Sequence, residues 1–385
     1  MKEKLSLPKG WELKTIGDVC VSASSNVSQN KLADDEGDYP IFGASGLIKK
    51  VSFYHRDKPY LSIVKDGSGV GRVTKMDAYT SVIGTLQYIL PKENIDLDYL
   101  NYSLMSVDFK KYVAGAAIPH IYFKDYKNEP FLWMPLPEQQ RIVSILDEAF
   151  AAIAKALANA EQNLKNAKEL FESYLQGVFE NGSWEKKELR ELTTILGDGL
   201  HGTPKYTIDG EYYFINGNNL NDGKIEFKEN TKRIDIDEFN KHKKNLTNRT
   251  VLVSINGTLG NVAFYNGEKI ILGKSACYFN LKENIDKGFV KYVLSSRYFI
   301  DYAHREATGA TIKNVSLKSM REFKVPFPPL KEQQTIVRQL DALRAESQKL
   351  EAVYQKKIDD LEELKKSILQ KAFAGELKYE KAMVV

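Results

Sequence analysis

Gly273-Lys274-Ser275 is the stretch that comes nearest to a phosphate-binding signature, and its spacing excludes one. A P-loop needs a glycine five residues ahead of its Gly-Lys-Ser. Position 268 is Glu, Gly267 lies one place too far, and the stretch reads as strand. The five histidines (His55, His120, His201, His242 and His304) show no paired ligand spacing, and the lone Cys20 and Cys277 cannot build a zinc site. There is no serine nucleophile elbow, and no strand leads into a Gly-x-Gly-x-x-Gly turn. Several reaction classes fail together, so the chain holds no self-contained catalytic constellation.

What it does hold is polar loops framed by strands. The glycine-rich Lys65–Arg72 and Asn256–Asn261 can bring backbone N–H groups and side chains against phosphates and base edges. Arginine and lysine pair with guanine and asparagine with adenine in the major groove. On this chemistry the candidates for DNA contact are Lys65, Asp66, Ser68 and Arg72 in the first loop and Asn256 and Thr258 in the second. His201, Thr203 and Lys205 lie in Asp198–Tyr206; Asn216, Asn218 and Asn219 lie in a second polar stretch. Ser45, His120, Lys274, Thr311 and Lys313 join them by loop chemistry and position. The same residues would also serve ordinary hairpin turns, and Lys241-His242-Lys243-Lys244 suits a solvated face.

These loops hang on a frame that occurs twice. Leu136-Pro137-Glu138-Gln139-Gln140 returns as Leu330-Lys331-Glu332-Gln333-Gln334, a shift of 330 − 136 = 194 that holds without a gap to Phe179/Phe373. Both copies predict one long helix. Apolar positions run Ile142, Leu146, Ala149, Ile153, Ala156, Ala160, Leu164, Ala167, Leu170, Tyr174, and again Ile336, Leu340, Leu343, Ser347, Leu350, Tyr354, Ile358, Leu361, Leu364, Ile368. Steps of four and three predict a coiled-coil seam between helices roughly 60 Å long. The alternative is that each copy packs on its own neighbouring domain. Trp11 and Trp184 open matching domain starts, shifted by 184 − 11 = 173, so the second copy is longer by 194 − 173 = 21 residues. The expected division is a globular domain over 1–135, a helix over 136–182, a second domain over 183–329, and a helix with its tail over 330–385. Each domain predicts short strands, glycine turns, and aromatic-rich helices near Asp98–Tyr112 and Gly288–Ala303.

At 385 residues with 43% hydrophobic content the chain can bury more than one core. Two isolated cysteines suit a reducing compartment, no apolar run reaches a membrane span, and the Lys/Glu-rich start is unlike a signal peptide. A cytoplasmic protein is therefore expected. A net charge of +4 is compatible with a nucleic-acid partner without demanding one.

The set of motifs resembles the DNA-specificity subunit of type I restriction–modification systems. The likeness is carried by Pro135–Val143 and Pro328–Val337, the paired Trp-Glu-x-Lys starts, Asp66–Gly71, Asp198–Tyr206, Ser254–Leu259 and the ending Lys371–Leu377. It implies an α+β fold: two α/β target-recognition domains joined by two long antiparallel helices, with an internal pseudo-twofold repeat. It further implies that each domain reads one half of a bipartite double-stranded target while the helices set the spacing. The partners implied are two modification (methyltransferase) subunits and restriction (translocase/nuclease) subunits. S-adenosylmethionine, ATP and Mg would be bound there, and this subunit would have no catalysis or cofactor of its own. Copy two departs from copy one at Thr335 for Arg141 and Ser347 at a seam position. Two other classes stand against this reading: a coiled-coil scaffold that binds no DNA, and a stand-alone DNA-modifying enzyme.

Overall fold

Tyr60-Leu61-Ser62-Ile63-Val64 is buried on both faces, which is what a central strand covered above and below requires. Leu61 and Ile63 enter one apolar cluster, while Tyr60 and Val64 enter another. The period of two thus divides one strand between two layers. The strand Thr250–Ser254 is equally buried, with Val251 and Val253 on one side and Leu252 on the other. The computed structural model describes Leu7 and residues 9–115, 117–309 and 311–374. The end of the closing motif, Gly375, Glu376 and Leu377, lies outside the described residues.

By spatial contact the chain forms two compact units, Met1–Glu161 with Gln355–Val385, and Gln162–Tyr354. In the first, an antiparallel sheet runs in the order Cys20–Ser24, Leu86–Pro91, Tyr60–Val64, Val73–Met76, beside a three-stranded sheet of Gly46–Val51, Tyr39–Gly43 and Ser81–Val82. The second repeats both: Thr193–Asp198, Ala276–Leu281, Thr250–Ser254, Val262–Phe264, and then Arg233–Ile234, Tyr212–Ile215, Ile270–Leu272. Register is kept as well, since Leu61 pairs with Ile89 and Val251 with Phe279. The offset here is 251 − 61 = 190, between the 173 of the domain starts and the 194 of the long helices. Each domain is closed at its neck by a short antiparallel ribbon, Glu12↔Trp133 in one and Lys186↔Pro326 in the other.

The long helices are Leu136–Asn181 and Leu330–Phe373, of 46 and 44 residues. At 1.5 Å per residue these reach about 70 and about 65 Å, somewhat beyond the expected length. Within the first unit, Ile142 and Leu146 at the start of one helix share a core with Ile368 and Ala372 at the end of the other. Within the second, Phe171, Leu175 and Phe179 share a core with Ile336 and Leu340. In both units the helices therefore run antiparallel. Seam and domain packing coexist, because each half-helix also covers the sheet domain beside it. For that reason the compact units divide inside the long helices.

The seam departs from its predicted course in both helices. Leu170 and Tyr174 are 51% and 45% exposed, and Leu350 and Leu364 are 41% and 46% exposed. Beyond Ala167 the first helix steps by four, through Phe171, Leu175 and Phe179, because that end faces the second domain. The Phe171 and Tyr292 rings lie 6.3 Å apart there, and Phe179 and Phe289 5.6 Å apart. In the second helix Ser347 is buried and donates its hydroxyl to the Ala167 carbonyl at 2.6 Å. Two small residues let the backbones approach at that level.

A repeated side-chain clamp joins each long helix to its domain. Gln139 is fully buried: Oε1 accepts from the Asp96 N–H (2.8 Å), and Nε2 donates to the Met134 and Asn94 carbonyls (2.7 and 3.0 Å). Gln333 repeats this toward the Asp286 N–H (2.9 Å) and the Pro328 carbonyl (2.8 Å). Asp96 and Asp286 in turn cap the helices Leu97–Met105 and Lys287–Ser295. From those helices Tyr102 and Tyr292 donate to Asp147 and Asp341 of the long helices. Burial first and the carboxylate second raise both phenols well above their ordinary range. The predicted aromatic helices are shorter than expected: Leu97–Met105 gives way to a 3-10 turn at Phe109–Tyr112, and the second is broken at Ser296 into Lys287–Ser295 and Arg297–Glu306.

Both cysteines are buried, and burial pushes the Cys20 thiol up to about 12 and Cys277 higher still. Only thiolate reacts with disulfide reagents, and a raised pKa keeps the proton on below it. Native protein at pH 8 is therefore expected to be unreactive toward a chromogenic disulfide, and denatured protein to release two thiols. Rapid reaction of the native chain would contradict this packing.

Candidate nucleic-acid interface

The glycine loops meet the domain-closing loops through the same hydrogen bonds in both domains. In the first, 114–120 closes on itself by Ala114 N–H to His120 C=O (2.9 Å) and His120 N–H to Ala114 C=O (2.8 Å). It is then locked to the Lys65–Arg72 loop by Gly67 N–H to Pro119 C=O and Ile121 N–H to Lys65 C=O, both 2.9 Å. In the second, Thr308 and Asn314 exchange two bonds of 2.9 Å, Gly257 N–H donates to Lys313 C=O (2.9 Å), and Val315 N–H to Ile255 C=O (2.8 Å). Gly115 and Gly309 make the turn with φ of +88° and +96°, and a Cβ there would meet the carbonyl of Ile118 at 2.4 Å or of Ile312 at 2.3 Å.

Around the first loop pair stand Lys65, Asp66, Ser68, Arg72 and His120. Lys65 and Asp66 form an ion pair at 3.5 Å. Arg72 reaches across Gly69 to the Ala44 carbonyl, which draws in the turn carrying the exposed Ser45. All six first-domain candidates thus sit on one loop cluster. In the second domain, Asn256 Nδ2 donates to Asn314 Oδ1 at 3.0 Å, while Thr258, Thr311 and Lys313 are exposed beside it. Exposed Lys274 belongs to the same cluster through its neighbour, since Ile255 N–H donates to the Ser275 carbonyl at 3.0 Å. Ser275 Oγ accepts from Gly217 N–H (2.9 Å) and donates to Asn216 Oδ1 (3.0 Å), bringing in the asparagine stretch.

Gly273-Lys274-Ser275 is a turn between the strands Ile270–Leu272 and Ala276–Leu281, where sequence suggested strand. Backbone crowding explains it. Leu200 N–H donates to Leu272 C=O (2.7 Å) and Lys274 N–H to Leu200 C=O (3.0 Å), so two chains run side by side. A Cβ on Gly199 would lie 2.0 Å from the Leu272 carbonyl. His201, exposed, pairs with Asp198 at 2.7 Å. Thr203 and Lys205 are exposed on the stretch that follows. Asn218 is exposed, whereas Asn219 is only 5% exposed. Its amide is consumed by Asn216 N–H (3.0 Å), the Glu226 carbonyl (3.0 Å) and Thr231 Oγ1 (3.3 Å). Asn219 braces the loop from within and presents no free edge to a ligand.

Thr85 and Ser275 are not among the DNA-contact candidates, and Ser275 entered only through the rejected Gly-Lys-Ser stretch. Their separation, 275 − 85 = 190, is that of the paired strands, and their carbonyls accept from Lys65 and Ile255 alike. That shared offset was the available signal. The Thr85 hydroxyl is buried without a partner among the described residues. Among those residues no three His, Cys, Asp or Glu side chains are placed to share a metal ion, and no helix is long and apolar enough to cross a membrane.

Comparison with known proteins points to one family. The model of the family described as "Type I restriction modification DNA specificity domain" matches residues 8–163 and 181–362. The specificity subunit of the type I restriction enzyme MjaVIII from Methanocaldococcus jannaschii is 24% identical over 413 residues, covering 97% of this chain and 94% of that one. The EcoDI specificity subunit from Escherichia coli is 22% identical over 412 residues, covering 96% and 89%. Two solved chains share the fold. One, from work on complex assembly and conformational transition of the type I R-M system, has a TM-score of 0.72 at 18% identity, covering 96% and 99% of the two chains. The HsdS subunit from Thermoanaerobacter tengcongensis has a TM-score of 0.60 at 17% identity, covering 97% and 99%.

Proposed function

The chain belongs to the type I restriction–modification DNA specificity family, and from that premise we infer how its two domains divide the work. It is a DNA-recognition subunit: each domain reads one half of a bipartite target, and the long helices hold the halves apart. The observation that carries this reading is the twice-built loop cluster, whose backbone bonds are the same in both domains while the side chains differ. An identical scaffold with different donors and acceptors is what two unlike half-sites need. Half-sites on one face of a duplex are separated by about 34 Å per helical turn, within the span of helices this long.

Catalysis then belongs to partners. Two modification subunits dock along the long helices and bind S-adenosylmethionine for adenine methylation; restriction subunits supply ATP- and Mg-dependent translocation and cleavage. A subunit reading chromosomal DNA works in the cytoplasm. The test is to co-express the chain with its modification subunit and map adenine methylation by single-molecule sequencing. A split, asymmetric motif with a methylated adenine in each half is expected. A contiguous motif, or none from a well-formed complex, would overturn the reading.

A further inference from the structure

Two isoleucines stand at the tips of the domain-closing loops, and no part of the recognition scheme above uses them. Ile118 is 65% exposed and Ile312 59% exposed. Single exposed apolar residues are ordinary on protein surfaces. These two differ, because 312 − 118 = 194 and both sit on loops closed by paired backbone bonds around a positive-φ glycine. Each loop carries its apolar tip close to polar residues of the cluster: Lys65 and His120 in one domain, Thr311 and Lys313 in the other.

We propose that Ile118 and Ile312 are paired apolar wedges, each pressed against the bases of its own half-site. The proposal rests on the DNA-recognition reading. Ala117, Pro119 and His120 give way to Thr311, Lys313 and Asn314, while the leading Gly-Ala and the isoleucine are kept. A residue identical in both domains cannot encode the difference between two half-sites, so its contribution is independent of sequence. Apolar side chains inserted at base steps act this way, trading partial unstacking for a closer fit of protein to duplex. A protein partner fits less well, since stable interfaces take on the order of 1,000 Å² and the second tip, Ile312, stands between Thr311 and Lys313. The pinned loop reduces the cost of insertion, because its conformation is already held before DNA arrives.

The test uses the full chain in complex with its modification subunit, and duplexes carrying either the motif mapped for the wild type or an unrelated sequence. Ile118→Ala and Ile312→Ala are each expected to weaken binding about tenfold on both duplexes. The methylated motif should stay unchanged, as should the dependence of affinity on salt. Ile118→Leu and Ile312→Leu, which keep the bulk, should bind as the wild type does. In contrast, Lys313→Ala should lower the salt slope by about one, as loss of a phosphate contact does. Unchanged affinity of the alanine variants overturns the wedge, as does a change of methylated sequence in one half, which would make the residue a reader. A wild-type complex with no specific motif overturns the recognition reading itself, and the wedge with it.

Discussion

Gln139→Ala is expected to destabilise the first unit by roughly 2–4 kcal/mol, and Gln140→Ala, its immediate neighbour, by less than about 0.5 kcal/mol. The two residues are chemically identical and adjacent, yet Gln139 is fully buried and Gln140 is exposed. Truncating Gln139 strands the buried Met134 carbonyl and takes the partner from the half-buried Asp96 N–H and from the Asn94 carbonyl. An unsatisfied buried group costs more than the bond itself was worth, so the loss accumulates. The pair Gln333→Ala and Gln334→Ala should behave likewise in the second unit, where Asp286 and Pro328 lose their partner. Urea denaturation followed by circular dichroism measures all four. Equal costs for Gln139 and Gln140 would show that the clamp is not what fastens helix to domain.

The second large effect is on specificity. Replacing Lys186–Pro326 by the matching segment of another recognition subunit should rewrite one half of the methylated motif and leave the other intact. The cut is physically favourable because Lys186 and Pro326 face each other in the neck ribbon, so both junctions fall at one closed point. The loop cluster of the first domain is held by bonds of its own, between Lys65–Arg72 and the loop that ends at His120. Methylation mapping of the chimera decides the matter. A change in both halves, or in neither, would refute independent reading by the two domains.

The two predictions draw on different parts of the sequence. The long helices were legible because a repeat of one spacing over more than forty residues survives any local ambiguity. The clamp was only half legible. The Glu-Gln-Gln stretch was visible as a motif, but which glutamine turns inward depends on the phase of the helix against a domain that the motif does not contain. The seam failed for the same reason. Steps of four and three describe a helix facing another helix, and from Ala167 onward this one faces Phe289 and Tyr292 of a sheet domain.

The candidate site shows the same division. Residue type alone singled out Lys65, Arg72, Asn256 and Lys313, because glycine-rich loops with cationic and amide side chains suit phosphates and base edges. Composition could not say that Asn219 spends its amide on Glu226 and Thr231 as well as on Asn216 three residues before it, since the first two lie beyond the hairpin of Leu220–Asn221 and Lys224–Ile225. Nor could it separate the 190-residue offset of the strands from the 194 of the helices, because the intervening insertions have no signature of their own.

By itself, then, the sequence determined the duplicated frame, the two unlike domains and the absence of a self-contained catalytic motif, all of which rest on local spacing and residue chemistry. Tertiary structure alone decided which glutamine is buried, which face of each long helix is covered, and which loops share a surface. Those outcomes depend on groups that are distant along the chain and meet only when the sheets and helices pack.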